Sequence, residues 1–372
     1  MVINLFKRKN KNNLKKGSAG AVYHNLSIKE IKKETDKSVS IVFSNPANEI
    51  KYLPGQYLTL ILNLDGEEVR RSYSLSSSPH LDKELSVTVK KIDNGRVSRY
   101  LVDQLKPGDE MKIMEPKGSF TTEFKEENER KFVLFAGGSG ITPLMSIMKS
   151  VLVTEPGSNI QLIYQNRNEN SIIYKELLEE LKNKYPDRLS ITHVLSQPLT
   201  AWDGLKGRVS KEQIVEIFDD SSIKPEEVSV FTCGPQGMME TVESALDLLN
   251  VDKKNRHKES FYSSTSGSKK DTKPAEEQNS NPESLVTILL DNEEHEVMVT
   301  PNDFILETAL DADINMPFSC QGGICTSCRG KLLSGEVKME DPDGLSDEEL
   351  EAGYILTCVS HPVSKAIKIE MG

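Results

Sequence analysis

Nowhere does the 372-residue chain contain an apolar run approaching the ~20 residues needed for a membrane-crossing helix, so no span is expected. Its first residues, Met-Val-Ile-Asn-Leu-Phe-Lys-Arg-Lys, lack the apolar centre of a secretory leader, and the expected compartment is a reducing cytoplasm in which disulfides do not persist. Histidine is scarce as well: His24, His80, His193, His257, His295 and His361 stand singly, without the paired spacing that an oxygen-activating metal site or haem would need. Basic charge is short, with 46 Lys and Arg against 57 Asp and Glu for a net of −11. That deficit is uneven. Residues 285–372 carry 17 acidic and 5 basic side chains, giving −12, and everything before them sums to about +1. Such a field repels nucleic acid and favours a protein partner with a basic docking face, in a salt-dependent way.

Cysteine is sparse but concentrated. Of the five, Cys320, Cys325, Cys328 and Cys358 fall in the last 53 residues, in the C-x4-C-x2-C…C order of a plant-type [2Fe-2S] site. Zinc modules usually pair their ligands in two short hooks, whereas here three thiols crowd one loop and the fourth follows 30 residues later. Gly322, Gly323 and Gly330 let main-chain N–H groups approach anionic sulfur without a Cβ in the way.

The length suffices for two or three domains. Residues 1–20, with Lys7, Arg8, Lys9, Lys11, Lys15 and Lys16 and no acid, are expected to be a disordered basic tail. From 21 to 124, β-branched runs such as Ser38 to Phe43, Tyr57 to Leu62 and Leu85 to Lys90, set between Pro-Gly and Asp-Gly turns, predict a small antiparallel β-barrel. From 125 to 262 the runs Phe132 to Ala136, Ile160 to Tyr164, Leu189 to Val194 and Val228 to Thr232 alternate with helical stretches, one of them Ile173 to Lys184. That alternation predicts an α/β domain with a parallel sheet. Residues 263–284 contain no large apolar side chain and read as a flexible linker spanning on the order of 25 Å. The last module, 285–372, mixes strands at Leu285 to Leu290 and Glu296 to Thr300 with a short helix near Phe304 to Asp311 before the cysteine loop. There are no internal repeats.

Three strings carry further chemistry. Arg71-Ser72-Tyr73-Ser74 lies in a strand-like run, so Arg71 and Tyr73 share one face and the serines the other. Downstream, Gly95-Arg96-Val97-Ser98 opens a helix whose unspent N–H groups suit an anion. The strand Phe132 to Ala136 then runs into Gly137-Gly138-Ser139-Gly140-Ile141-Thr142-Pro143 and an apolar helix, a phosphate cradle without the G-x-G-x-x-G fingerprint.

Together with Pro116-Lys117-Gly118-Ser119-Phe120, Cys233-Gly234-Pro235 and Glu259-Ser260-Phe261, these strings resemble the ferredoxin-NADP reductase family of flavoproteins. The resemblance implies that Arg71 meets the flavin phosphate, Tyr73 packs on the isoalloxazine and Ser74 lies near N5, with the pyrophosphate at Gly95, Arg96, Val97 and Ser98. It further implies a nicotinamide site at Gly137, Gly138, Gly140, Thr142, Cys233, Gly234 and Pro235, Phe261 shielding the flavin, Glu259 near the hydride path, and a β-grasp fold for the ferredoxin module. FAD is favoured over FMN by the pyrophosphate-like segment. Arg167 and Glu169, past the second strand, leave NADH and NADPH both open, with a lean to NADPH through Arg167. The implied activity is a relay from NAD(P)H through FAD to the [2Fe-2S] cluster and on to an external oxygenase, epoxidase or desaturase component, because a flavin converts hydride into single electrons. The alternative is an electron carrier whose front half only tethers the ferredoxin module, without NAD(P)H oxidation of its own.

Overall fold

The computed structural model describes residues 22–371 apart from 46–48, 65, 94, 221–222, 226, 262–282, 292, 302, 313, 315, 319–322, 324–325, 341 and 343. The expected basic tail, all but the last two residues of the expected linker, and Cys320 and Cys325 lie outside the described residues.

The first unit is the expected barrel. Strands β1 (Tyr23–Thr35), β2 (Ser38–Phe43), β3 (Tyr57–Leu64), β4 (Glu67–Ser74), β5 (Leu85–Lys90) and β6 (Glu110–Met114) are joined in the order β4-β3-β6-β1-β2-β5, with helix α1 (Arg96–Asp103) between β5 and β6. Every pairing is antiparallel. A bridge from Leu75 to Val87 returns the end of β4 to β5 and closes the ring. Alternation sends Ile41, Phe43, Leu58, Leu60, Val87 and Val89 into one core while their neighbours point to the other face of the sheet.

The second unit is a wholly parallel sheet. It contains β7 (Lys131–Gly137), α2 (Ile141–Thr154), β8 (Asn159–Asn166), α3 (Lys175–Lys184), β9 (Leu189–Leu195), β10 (Leu205–Lys206), α4 (Lys211–Asp220), β11 (Val228–Cys233), α5 (Gln236–Leu248) and β12 (Arg256–Glu259), with strand order β10-β9-β8-β7-β11-β12. Phe132, Leu134 and Ala136 feed the core on one face and Val133 and Phe135 that on the other, which is why β7 is apolar without a break. The chain moves outward from β7 to β8 and β9 and then returns to β11, so the strand order reverses between β7 and β11, the place where such sheets bind ligands. Helix α3 begins two residues later than the sequence suggests. Tyr174 adopts a left-handed φ of 62° and is buried beside Ile172 and Ile173, so core packing of these three side chains takes precedence over helical periodicity.

The third unit comprises β13 (Ser284–Leu290), β14 (Glu293–Val299), α6 (Ile305–Asp311), β15 (Arg329–Ser334), β16 (Val337–Met339), α7 (Asp347–Glu351), β17 (Tyr354–Leu356), β18 (Ser360–Pro362) and β19 (Ala366–Met371). Its main sheet runs β14-β13-β19-β15-β17, with β13 and β19 parallel and the other pairs antiparallel. Ile305, Leu306 and Ala309 of α6 pack on Val286, Ile288 and Ile369, the α+β arrangement expected of a β-grasp module. Strand β13 takes Ser284 from the expected linker because that residue pairs with Val299.

Barrel and parallel sheet are fastened by hydroxyls. Ser78 and Ser150 share a hydrogen bond of 2.7 Å, and Ser146 donates to the Ser77 carbonyl at 2.5 Å. Lys149 pairs with Asp82 at 3.0 Å, and the buried Tyr174 hydroxyl bonds Thr88. Buried polar atoms that satisfy one another fix register as well as proximity, so the segment after β4 is held firmly against α2. Among the described residues no helix is long and apolar enough to cross a membrane.

Candidate functional site

The fastening brings three strand ends together. Ser74 closes β4, Cys233 closes β11 and Glu259 closes β12, with Cys233 and Glu259 register partners in the parallel sheet. The Ser74 hydroxyl donates to Glu259 Oε2 at 3.2 Å across the interface. All three side chains are buried. Burial without a cationic partner pushes the Glu259 carboxyl up to about 8, against which the Ser74 hydrogen bond pulls back, so at neutral pH the acid mostly holds its proton. Burial also drives the Cys233 thiol upward, and the Glu259 charge adds to the effect, which makes this sulfur a neutral wall rather than a nucleophile. Phe261, two residues on, is 42% exposed, leaving its ring available to cover a planar group.

Around this junction the flavin candidates fall as alternation requires. Leu58 opposes Tyr73 and Leu60 opposes Arg71 across β3 and β4, while Ser72 bonds Thr59 at 3.0 Å on the other face. The register puts guanidinium and ring on one face of β4; burial raises the Tyr73 hydroxyl's pKa and the Arg71 charge opposes it. Arg71 is exposed, donates only to the Arg70 carbonyl at 2.7 Å, and meets no carboxylate among the described residues. That leaves donors for a phosphate, so the residues present fit a flavin nucleotide.

Among the described residues Gly95 caps α1 with no side-chain hydrogen bond, and a helix N-terminus of this kind suits an anion. Of the expected pyrophosphate contacts, Arg96 reaches back to the Leu64 carbonyl and Val97 packs in the barrel core, so Val97 offers only its main chain. The Ser98 hydroxyl accepts from the Ile92 N–H at 3.1 Å. A Cβ at Gly95 would sit 2.5 Å from that oxygen.

The nicotinamide candidates meet at the strand-order reversal. A Cβ on Gly140 would lie 2.1 Å from the Cys233 carbonyl oxygen, and one on Gly137 would lie 2.4 Å from the Pro235 ring. The glycine turn and Cys233-Gly234-Pro235 therefore touch main chain to main chain, a packing role beyond phosphate approach. Gly138 holds φ at +54°, its carbonyl accepts from the Tyr164 hydroxyl at 2.9 Å, and Thr142 donates to the Ser139 carbonyl at 3.0 Å. Arg167 is exposed just past β8.

Lys90 joins the cradle without having been singled out in the sequence. Its ammonium would be 3.3 Å from a Cβ on Gly138, and burial together with the Arg167 charge lowers its pKa. The signal for it is weak: a lysine ending an apolar run reads as a surface residue until the parallel sheet is placed over it.

In the third unit Cys328 and Cys358 are 1% and 4% exposed in one core, and Thr357, next to Cys358, donates its N–H and its hydroxyl to the Cys328 carbonyl at 3.2 and 3.0 Å. Two thiols distant in sequence thus lie in one buried core, which suits a thiolate-held cluster; the other two expected ligands lie outside the described residues.

Comparison with known proteins agrees with this geometry. The sequence matches the oxidoreductase FAD-binding domain family over residues 25–122, the oxidoreductase NAD-binding domain family over 134–244 and the 2Fe-2S iron-sulfur cluster binding domain family over 288–363. It is 35% identical to a component of the 1,2-phenylacetyl-CoA epoxidase of Escherichia coli (strain K12), across 94% of this chain and 97% of that protein. The chain belongs to the family of ferredoxin reductase-type flavoproteins with a C-terminal [2Fe-2S] domain. Another member, the ferredoxin reductase component of 3-ketosteroid-9-alpha-monooxygenase from Rhodococcus rhodochrous, is 36% identical over 93% of this chain and 96% of its own length. Phthalate dioxygenase reductase, described as a modular structure for electron transfer from pyridine nucleotides to [2Fe-2S], superposes with a TM-score of 0.61 at 25% identity, over 94% of this chain and 98% of that one. The protein is an NAD(P)H-dependent oxidoreductase using FAD and a [2Fe-2S] cluster, which sets aside the reading of its front half as a mere tether.

Because the Glu259 pKa is about 8 in the fold and 4.5 otherwise, the folded state holds one extra proton between these values, and stability falls as pH rises through that window. Thermal melts of the parent are expected to drop between pH 5 and about 8, and those of Glu259→Gln to lose most of that slope. Replacing Cys328 by Ser is expected to remove the cluster's visible absorption and reduction of any acceptor beyond it, while NAD(P)H-driven dye reduction at the flavin continues. Loss of both activities together would show that the modules are not separable.

Proposed function

We propose that this chain is the NADPH-oxidising reductase of an oxygenase, feeding single electrons to an iron-containing component that carries a basic docking face. The observation that carries the reading is the junction of Ser74, Cys233 and Glu259, where the flavin strand of the barrel meets the nucleotide end of the parallel sheet. Flavin supplies the conversion of a hydride into single electrons, and a plant-type cluster near about −400 mV supplies a reductant strong enough for oxygen-activating iron. The chain's own residues do the rest. Arg71, Tyr73 and the opening turn of α1 hold and orient the flavin nucleotide, and the turn at Gly137, Gly138 and Gly140 with Lys90 takes the pyridine-nucleotide phosphates. Buried Cys233 and the exposed ring of Phe261 exclude water from the ring faces, and Glu259 holds a proton beside Ser74. On this reading the chain divides near residue 124 and across 263–284, and a reducing cytoplasm suits the thiol set.

NADPH is favoured over NADH by where the charges go. The Glu169 carboxylate is engaged by the Leu199 N–H at 2.9 Å, the Thr200 N–H at 3.2 Å and the Thr200 hydroxyl at 2.7 Å, which holds its pKa down to about 2. It is committed to a turn and does not serve as a ribose-hydroxyl acceptor, whereas Arg167 is exposed and suits a 2′-phosphate. An oxygenase as acceptor is supported by the relatives, components of an epoxidase and of a steroid monooxygenase that match nearly the whole chain. Among them, the phenylacetyl-CoA epoxidase type is the favoured model for the partner.

Steady-state kcat/KM is expected to favour NADPH, and Arg167→Ala is expected to lose roughly tenfold with NADPH while changing little with NADH, the size of one lost charge-assisted contact. An equal loss with both nucleotides would contradict the assignment. Reduction of the oxygenase component is expected to slow as ionic strength rises, and a flat salt profile would remove the acidic docking surface from the account.

A further inference from the structure

The −12 charge of residues 285–372 asks for a basic surface, and one lies within the same chain. Phe318 and Ser327 bracket the cysteine loop, Phe318 two residues before Cys320 and Ser327 one before Cys328. Each touches a cation of the barrel. The Arg70 guanidinium lies over the Phe318 ring, 4.6 Å from its centroid, and Lys117 Nζ donates to the Ser327 hydroxyl at 2.9 Å.

Both cations sit beside the flavin residues. Arg70 precedes Arg71 in β4 and is aimed by Glu68, whose Oε1 accepts from its Nε at 3.0 Å and its Nη2 at 2.8 Å. The Arg70 side chain is 18% exposed, so the contact with Phe318 is largely dry, where a cation over an aromatic face gains most. Lys117 bridges Tyr57, which pairs with Ser74, the serine at the hydride junction. The barrel as a whole is not basic; the positive charge is local, with Arg70, Arg71, Lys112 and Lys117 distributed over β4, β6 and the turn after β6.

We propose that Arg70 and Lys117 form an internal dock that seats the ferredoxin module, through Phe318 and Ser327, against the face of the barrel that carries Arg71 and Tyr73, and that seating through these two side chains sets the rate of flavin-to-cluster transfer. The inference rests on the relay proposed above and adds the surface on which its inner step occurs. The balance is simple: two electrons arrive on the flavin as one hydride, the oxidised cluster takes the first, the second follows once the external acceptor has reoxidised the cluster, and the accompanying proton goes to solvent. The acidic module therefore has two cationic partners, the local patch of Arg70 and Lys117 first and the external acceptor afterwards.

The test uses the full-length holoprotein with Arg70→Ala and Lys117→Ala combined, neither residue being among those assigned to hold flavin or nucleotide. Anaerobic stopped-flow with NADPH reads flavin bleaching and cluster bleaching separately, and small-angle scattering reads the radius of gyration of the same samples. The dock predicts unchanged flavin bleaching, cluster bleaching slowed by about tenfold or more, and a larger radius of gyration. It also predicts that salt slows the parent's cluster step and leaves the variant's nearly flat. Cluster bleaching within about twofold of the parent, with an unchanged radius, would overturn it. A failure of the relay itself looks different, since the parent's cluster would then stay oxidised under NADPH.

Discussion

Everything in this molecule depends on a buried interface that brings the end of an antiparallel strand to the ends of two parallel ones. The Ser78–Ser150 hydroxyl pair, the Ser146 hydroxyl on the Ser77 carbonyl and the Tyr174–Thr88 bond hold the barrel so that Ser74 faces Glu259. Behind them, the glycine turn after β7 packs on the main chain after β11 so closely that a Cβ on Gly140 would fall 2.1 Å from a carbonyl oxygen. A hydride transferred from a bound nicotinamide to a bound flavin would need short range, and a rigid, dry junction would supply it. The low polarity that makes the junction dry also keeps Glu259 protonated near neutrality.

The ferredoxin module is attached by different physics. Its own core is apolar and separate, built on Val286, Ile288, Leu306 and Ile369, and its touch on the barrel is a cation over a ring and a lysine on a hydroxyl. Contacts of that kind are modest, salt-sensitive and easily remade, as suits a unit that must take an electron on one surface and deliver it elsewhere. On the proposed relay, rigid coupling would serve the hydride step and loose coupling the electron steps, in line with the different distance demands of the two transfers.

Much of this is legible in the sequence because the relevant signals are local. Period-two runs and Pro-Gly turns mark the barrel, unbroken apolar runs mark the parallel strands, and the spacing of Cys320, Cys325, Cys328 and Cys358 names a cluster type. What the sequence hides is contact between distant segments. Lys90 reads as an ordinary strand end, yet it lies under the Gly138 turn. Arg70 and Lys117 read as surface charge, and only their partners at 318 and 327 give them a role. Tyr174 shows local periodicity yielding to packing, since its left-handed backbone delays α3 by two residues. Glu169 looks like a ribose reader by position and is instead committed to the turn at Leu199 and Thr200.

The central claim is that a hydride taken at the Ser74–Glu259 junction ends as single electrons on iron held by the C-terminal thiols. Anaerobic titration of the purified protein with NADPH, followed by visible absorption and electron paramagnetic resonance, tests it most directly. The account predicts bleaching of flavin and cluster together with the signal of a reduced [2Fe-2S] centre that accounts for the iron and sulfide present. A flavin that reduces while the iron stays oxidised, or a chain whose thiols hold zinc or no metal, would contradict it.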